Sequence, residues 1–149
     1  MNNPLSEAAF IHLTTAHAYF CFARVWWDGD GLDVASWWQE GAEWHMRLAM
    51  TGETTIPMIP TIRMNRSISE SEFSRILGEM TSLGIASLAS QLERTAYTHY
   101  DVWYGIRHQG MPLSKWVWIS GGIHDSPVEL ELLKCVYKHC PELIMTSTA

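Results

Sequence analysis

Eight tryptophans in 149 residues constrain this chain more than any other feature. Trp26, Trp27, Trp37, Trp38 and Trp44 crowd one short stretch, and Trp103, Trp116 and Trp118 sit in two later strand-like runs. Each indole brings a large apolar face and one N–H that needs a partner when buried. Layers must enclose most of these rings, or some stay outside, where tryptophan is enriched at binding hot spots. The density exceeds what a core of this size needs. Part of the indole surface is therefore expected at the exterior.

Length favours one domain, read here as residues 1–149 with 141–149 as a frayed tail. A chain of about 150 residues buries roughly 68–70% of its unfolded surface, so a core forms without metals or disulfides. Only 17% of the residues are charged, below the usual ~25%. The formal net charge of −6, with ten scattered basic residues, argues against a nucleic-acid partner and for a basic protein. Cys21, Cys135 and Cys140 cannot all pair within the chain and read as free thiols in a reducing compartment. No basic signal region precedes an apolar run, and no run approaches the ~18 apolar residues of a membrane span. The expectation is a cytoplasmic protein with no membrane contact.

Periodicity supplies the elements. Ser6 can cap a helix over 7–18, and Tyr19–Trp27 is aromatic and β-branched enough for a buried strand. Asp28-Gly29-Asp30-Gly31 stops it as a turn. Asp33 then reads as the cap of a short helix holding Val34, Trp37 and Trp38 on one face. Glu43–Met50 alternates as a strand, with Trp44, Met46, Leu48 and Met50 opposite His45 and Arg47. Residues 51–62, with Pro57 and Pro60, read as a loop. Ser69 and Glu72 form a capping box for a helix ending near Gly84, followed by a second short helix through Leu88 and Leu92. Tyr97–Arg107 and Lys115–Ser120 form a hairpin. Ser126-Pro127-Val128-Glu129 opens a last helix, with Val128, Leu132, Leu133, Val136, Tyr137 and Cys140 inward, which Pro141 stops. The fold class is α+β: a single domain with an antiparallel sheet of about four strands packed against two or three helices.

Catalytic and metal motifs are sparse. A calcium loop starting at Asp28 would need a ligand at Leu32, glycine at Asp33 and a bidentate glutamate at Gln39. No P-loop, dinucleotide fingerprint or nucleophile elbow appears. Seven histidines permit a two-histidine, one-carboxylate site from His99, His124 and Asp125, the metal set of a small enzyme or a ligand-binding domain with a His/Trp-lined pocket. Hydrogen-bonded structural histidines explain them better, so the reading carries no cofactor. The richest candidate is the mixture of Trp27, Asp28, Asp30, Asp33, Trp37, Trp38, Glu40 and Glu43. Aromatic anchors ringed by carboxylates suit a Lys/Arg-rich partner through buried area, cation–π contacts and steering.

The C-terminal half adds a resemblance. Asp101-Val102-Trp103-Tyr104-Gly105-Ile106-Arg107 as one strand, Trp116–Gly122 as a second and Ser126-Pro127 opening a terminal amphipathic helix resemble the order in small bacterial immunity proteins. The resemblance covers residues 97–140 and carries no signature motif, so it assigns no functional residue. It implies a cytoplasmic, non-catalytic inhibitor that binds a toxin tightly, and the acidic charge suits a basic toxin. The rivals are the small enzyme just described and a homodimer that buries the exposed rings against a copy of itself.

Overall fold

The computed structural model describes residues 8–26, 31–51, 60–88, 100–108, 114–120 and 127–147. A 3₁₀ turn over Ala8–Leu13 leads into strands β1 (Ala18–Trp26), β2 (Gly31–Glu40), β3 (Glu43–Met50) and β4 (Thr61–Ile68). Helix α1 (Glu70–Ser82) and a 3₁₀ turn at Ile85–Ser87 follow, then β5 (Tyr100–Arg107), β6 (Lys115–Ser120), α2 (Pro127–His139) and α3 (Glu142–Ser147). The strands form one antiparallel sheet of six in the order β4-β3-β2-β1-β5-β6. The α+β class stands, with six strands where the sequence supports about four.

Both added strands have a physical reason for hiding. The residues read as a helix capped by Asp33 are β2, which lies between β1 and β3. Residues 33–38 are all buried, so the alternation that betrays a half-exposed strand is absent. Trp37 enters the helix-side core, and its neighbour Trp38 enters the opposite one. The loop assigned to 51–62 ends in β4, an edge strand with mostly exposed, polar residues. It starts just after Pro60, where an edge strand tolerates a proline. The stretch 141–147 is not frayed: α3 occupies it and buries Leu143 completely. The first helix expected over 7–18 is instead the short 3₁₀ turn, and β1 begins at Ala18.

Side chains of alternate parity divide the interior in two. Phe20, Phe22, Trp37, Met46, Leu48, Val102, Tyr104 and Ile106 face α1, α2 and α3, where they meet Phe73, Ile76, Met80, Leu132 and Val136. Tyr19, Cys21, Ala23, Val34 and Trp38 face the other way and are covered by Phe10 and Leu13 of the first turn. Trp116 on β6 lies over Gly105 on β5, where a Cβ would meet its ring at 2.6–2.7 Å. Only glycine lets that ring lie against the strand.

Helix α1 starts as its capping box dictates, with the Ser69 hydroxyl accepting from the Glu72 amide at 3.0 Å. Gly84 follows the C-cap in the left-handed region at φ 85°. Helix α2 begins at Pro127 and buries Leu132, Cys135 and Val136. Val128, expected inward, is 37% exposed on the first turn.

One polar cluster interrupts the helix-side core. Arg24 on β1 and Asp33 on β2 are cross-strand partners and wholly buried, with Arg24 Nη2 2.9 Å from Asp33 Oδ2. Arg24 Nε and Trp26 Nε1 donate to the same oxygen, at 3.1 Å and 2.7 Å, and the Thr51 amide donates to Oδ1 at 3.2 Å. Arg24 also donates to the Leu143 carbonyl at 3.0 Å and to the Tyr137 hydroxyl at 3.3 Å. The guanidinium lies 5.0 Å from the Trp26 ring centre and 5.6 Å from that of Tyr100. Removing one member of a buried pair strands the other charge, at a cost of about 3–5 kcal/mol. Asp33→Ala is accordingly expected to lower unfolding stability in urea by about 3–5 kcal/mol. A loss of under ~1 kcal/mol, the size of a surface pair, would contradict this placement.

Candidate functional site

Among the described residues, the acidic, tryptophan-rich stretch does not form one surface. Trp27, Asp28 and Asp30 lie outside the described residues. Asp33, Trp37 and Trp38 are buried at 0%, 1% and 4% exposure, so none of the three is an outward contact. Asp33 is consumed by Arg24, and both indoles are walled in because β2 is covered on both faces. Glu40 and Glu43 are exposed. They close the far end of β2, and at about 3.3 Å per residue a ten-residue strand puts roughly 30 Å between its ends. The alternative metal set, His99, His124 and Asp125, also lies outside the described residues.

Glu40 and Glu43 face each other across the β2–β3 turn. Gly41 takes φ 62° there, which glycine adopts without strain. Residues paired in register point to the same side of a sheet, so the two carboxylates stand together on the face away from the helices. The Thr15 hydroxyl donates to Glu40 Oε1 at 3.2 Å, and His45 Nε2 lies 3.5 Å from Glu43 Oε2. Ile11, on the turn that covers this face, is 62% exposed.

Behind the acids, the same face holds a cluster of rings and cations. His12 meets Trp38 at 4.5 Å between ring centres, Trp38 stacks on His45 at 5.1 Å, and Arg47 lies 5.2 Å over Trp38. The His12 Nε2 and Ser36 Oγ share a hydrogen bond of 2.9 Å. Burial, assisted by the positive Arg47, lowers the His12 pKa from 6.5 to about 4.

A second constellation lies on the helix side, in a solvent-open cleft of about 600 Å³ between α1 and α2. Glu79 on α1 is its centre. Cys135 Sγ–H and His139 Nε2–H each donate to Glu79 Oε2 at 2.9 Å, and Lys138 Nζ donates to both carboxylate oxygens at 3.1 Å and 3.2 Å. Those bonds, led by the one from Cys135, hold Glu79 down at about 2 despite the opposing effect of burial. Burial and the Glu79 anion push the Cys135 thiol up to about 12. An anion that accepts the thiol proton disfavours the thiolate, so this is not an activated nucleophile. Among the described residues, Glu79, Cys135 and His139 form the group of ligating side chains close enough to share an ion, with donor atoms all within 4.8 Å of one another.

The sequence carried part of this. Cys135 and His139 stand four apart on a helix, which puts them on one face. The two-histidine, one-carboxylate set of His99, His124 and Asp125 does not include this pair. Glu79 had no sequence signal, because only the packing of α1 on α2 brings it there.

No family model, no curated protein and no solved structure matches the chain. No described helix is long and apolar enough to cross a membrane.

His12 generates a pH prediction. Its folded pKa lies below the unfolded value, so the unfolded chain binds the extra proton first as pH falls. The neutral ring's contribution is complete above pH 6.5 and declines from there to about pH 4. Substituting His12→Gln should flatten the stability profile between pH 6.5 and 4 in urea titrations. An acid limb as steep as that of the parent protein would exclude His12 as its source.

Proposed function

We propose that this chain is a non-catalytic binding protein of the immunity type, which neutralises a basic protein toxin. The observation that carries the reading is the pairing of Glu40 with Glu43, in register and exposed at one turn. Like charges directly opposite on a ladder destabilise it, on a scale of about 0.2–1 kcal/mol. A lysine or arginine of a partner placed between them would reverse that sign, so binding would relieve a penalty the free protein carries. Ile11 offers apolar area on the same face, and the net charge of −6 would steer a cationic partner.

Chemistry inside the fold favours binding over catalysis. The thiols of Cys21, Cys135 and Cys140 are all pushed upward, first by burial, which keeps each a poor nucleophile. The Asp33 carboxylate is wholly engaged by Arg24, Trp26 and Thr51. The proposed contact set is therefore Glu40 and Glu43 with Ile11. It replaces the surface that would have included Asp33, Trp37 and Trp38. A cytoplasmic location in a bacterial cell belongs to the same proposal.

The test is co-purification with the product of a toxin-like reading frame beside the gene, followed by calorimetric titration of the pair. The double variant Glu40→Lys/Glu43→Lys should raise Kd at least tenfold, about 1.4 kcal/mol, with an unchanged circular dichroism spectrum. The difference should shrink at high salt, where exposed charges are screened. Equal affinity of parent and variant would remove this surface from the account.

A further inference from the structure

We propose that Glu79, Cys135 and His139 form a binding site for a divalent transition-metal ion of the zinc class, at the floor of the cleft between α1 and α2. The site goes beyond the toxin-binding proposal and lies on the opposite side of the sheet from Glu40 and Glu43.

Three features carry it. The first is the donor set. One thiol sulfur, one imidazole nitrogen and one carboxylate oxygen are the ligands that zinc takes, and the mixture of soft and hard donors disfavours magnesium or calcium. The second is geometry. Cys135 and His139 project from one face of α2, a helical turn apart, and Glu79 meets them from α1, so two rigid helices hold the three groups. Oxygen–sulfur and oxygen–nitrogen separations are both 2.9 Å. Ligand bonds of about 2.0–2.3 Å at tetrahedral angles place donors roughly 3.3–3.8 Å apart. The Glu79 oxygen thus needs to draw back from sulfur and nitrogen by under about 1 Å to admit the ion, in a group whose donor atoms all lie within 4.8 Å of one another. In exchange the ion replaces the thiol proton that now bridges sulfur and oxygen. Coordination deprotonates a thiol outright, and that proton goes to solvent; the imidazole gives up its Nε2 proton as well and, as the neutral ring, carries its proton on Nδ1 when Nε2 ligates.

The third feature is space. Gly78 lines the cleft beside Glu79, and nothing lies within 4 Å of where its Cβ would stand. A glycine inside a helix costs about 0.5–1 kcal/mol relative to alanine, and no packing contact requires this one. A water, as fourth ligand, would enter from the solvent-open side of the cleft. His139 is only 11% exposed, so it would hold the ion largely out of solvent, while Lys138, at 64%, would exchange its bonds to Glu79 for water.

The experiment adds Co²⁺ to the full-length, metal-stripped protein and follows its absorption, with Zn²⁺ as competitor. The expected result is a near-ultraviolet thiolate-to-cobalt band with visible bands of four-coordinate cobalt, both abolished by one equivalent of Zn²⁺. Cys135→Ser should remove the charge-transfer band. Glu79→Gln and His139→Ala should each weaken Co²⁺ at least tenfold, and Ser82→Ala, on the cleft wall, should change nothing. Circular dichroism of each apo variant establishes that it is folded, and Glu79→Gln preserves size if Cys135→Ser is not. Absence of a thiolate band at millimolar Co²⁺, or a band that survives Cys135→Ser, would overturn the proposal. Toxin binding by the parent protein is a separate readout, so either proposal can fail without the other.

Discussion

A charge pair sealed inside the helix-side core sets the geometry of everything around it. Arg24 and Asp33 lie opposite one another on the two central strands, and water reaches neither. Two such charges are tolerated in the interior only if their hydrogen-bonding capacity is filled. Here the carboxylate takes donors from Arg24, Trp26 and Thr51, while the guanidinium reaches the Tyr137 hydroxyl and the Leu143 carbonyl. The consequence is positional. The pair draws α2 by Tyr137 and α3 by its backbone onto β1. In a helix of 3.6 residues per turn, positions 135 and 139 fall on the side nearly opposite 137. Pulling Tyr137 toward the sheet therefore turns Cys135 and His139 toward α1, where Glu79 waits.

The molecule separates its two candidate surfaces in the same way. On one face, among the described residues, the 3₁₀ turn over Ala8–Leu13 covers part of the sheet and leaves Glu40, Glu43 and Ile11 outside, with the Trp38, His45 and Arg47 stack beneath. On the other, α1 and α2 frame a cleft whose base carries Glu79 and Cys135. The first surface sets two exposed carboxylates side by side, with only the Thr15 hydroxyl and the His45 ring beside them. In the second, charge and donors are matched by a proton, and a metal ion could take that proton's place.

Elements with a local cause could be read from the sequence. Ser69 and Glu72 announced α1, the alternation of Trp44 through Met50 announced β3 and its two faces, and Pro127 marked the start of α2. What failed depended on neighbours. Trp37 and Trp38 look like one helical stripe because β2 is buried on both sides, which erases period two. Strand β4 looks like a loop because an edge strand needs little apolar surface. Leu143 looks like part of a loose tail until Arg24 is found holding its carbonyl. The acidic stretch misled for a further reason: nearness along a strand is distance in space, and Glu40 lies a full strand length from Gly31, the partner of Trp26. At the cleft, the spacing of Cys135 and His139 was legible as a helical pair, but the carboxylate that completes it comes from 56 residues away and only tertiary packing supplies it.

X-ray absorption at the zinc edge of the zinc-loaded protein tests most directly whether this packing builds a metal centre. The account predicts one sulfur at about 2.3 Å with nitrogen and oxygen neighbours at about 2.0–2.2 Å. A first shell of nitrogen and oxygen alone, with no sulfur, would contradict it.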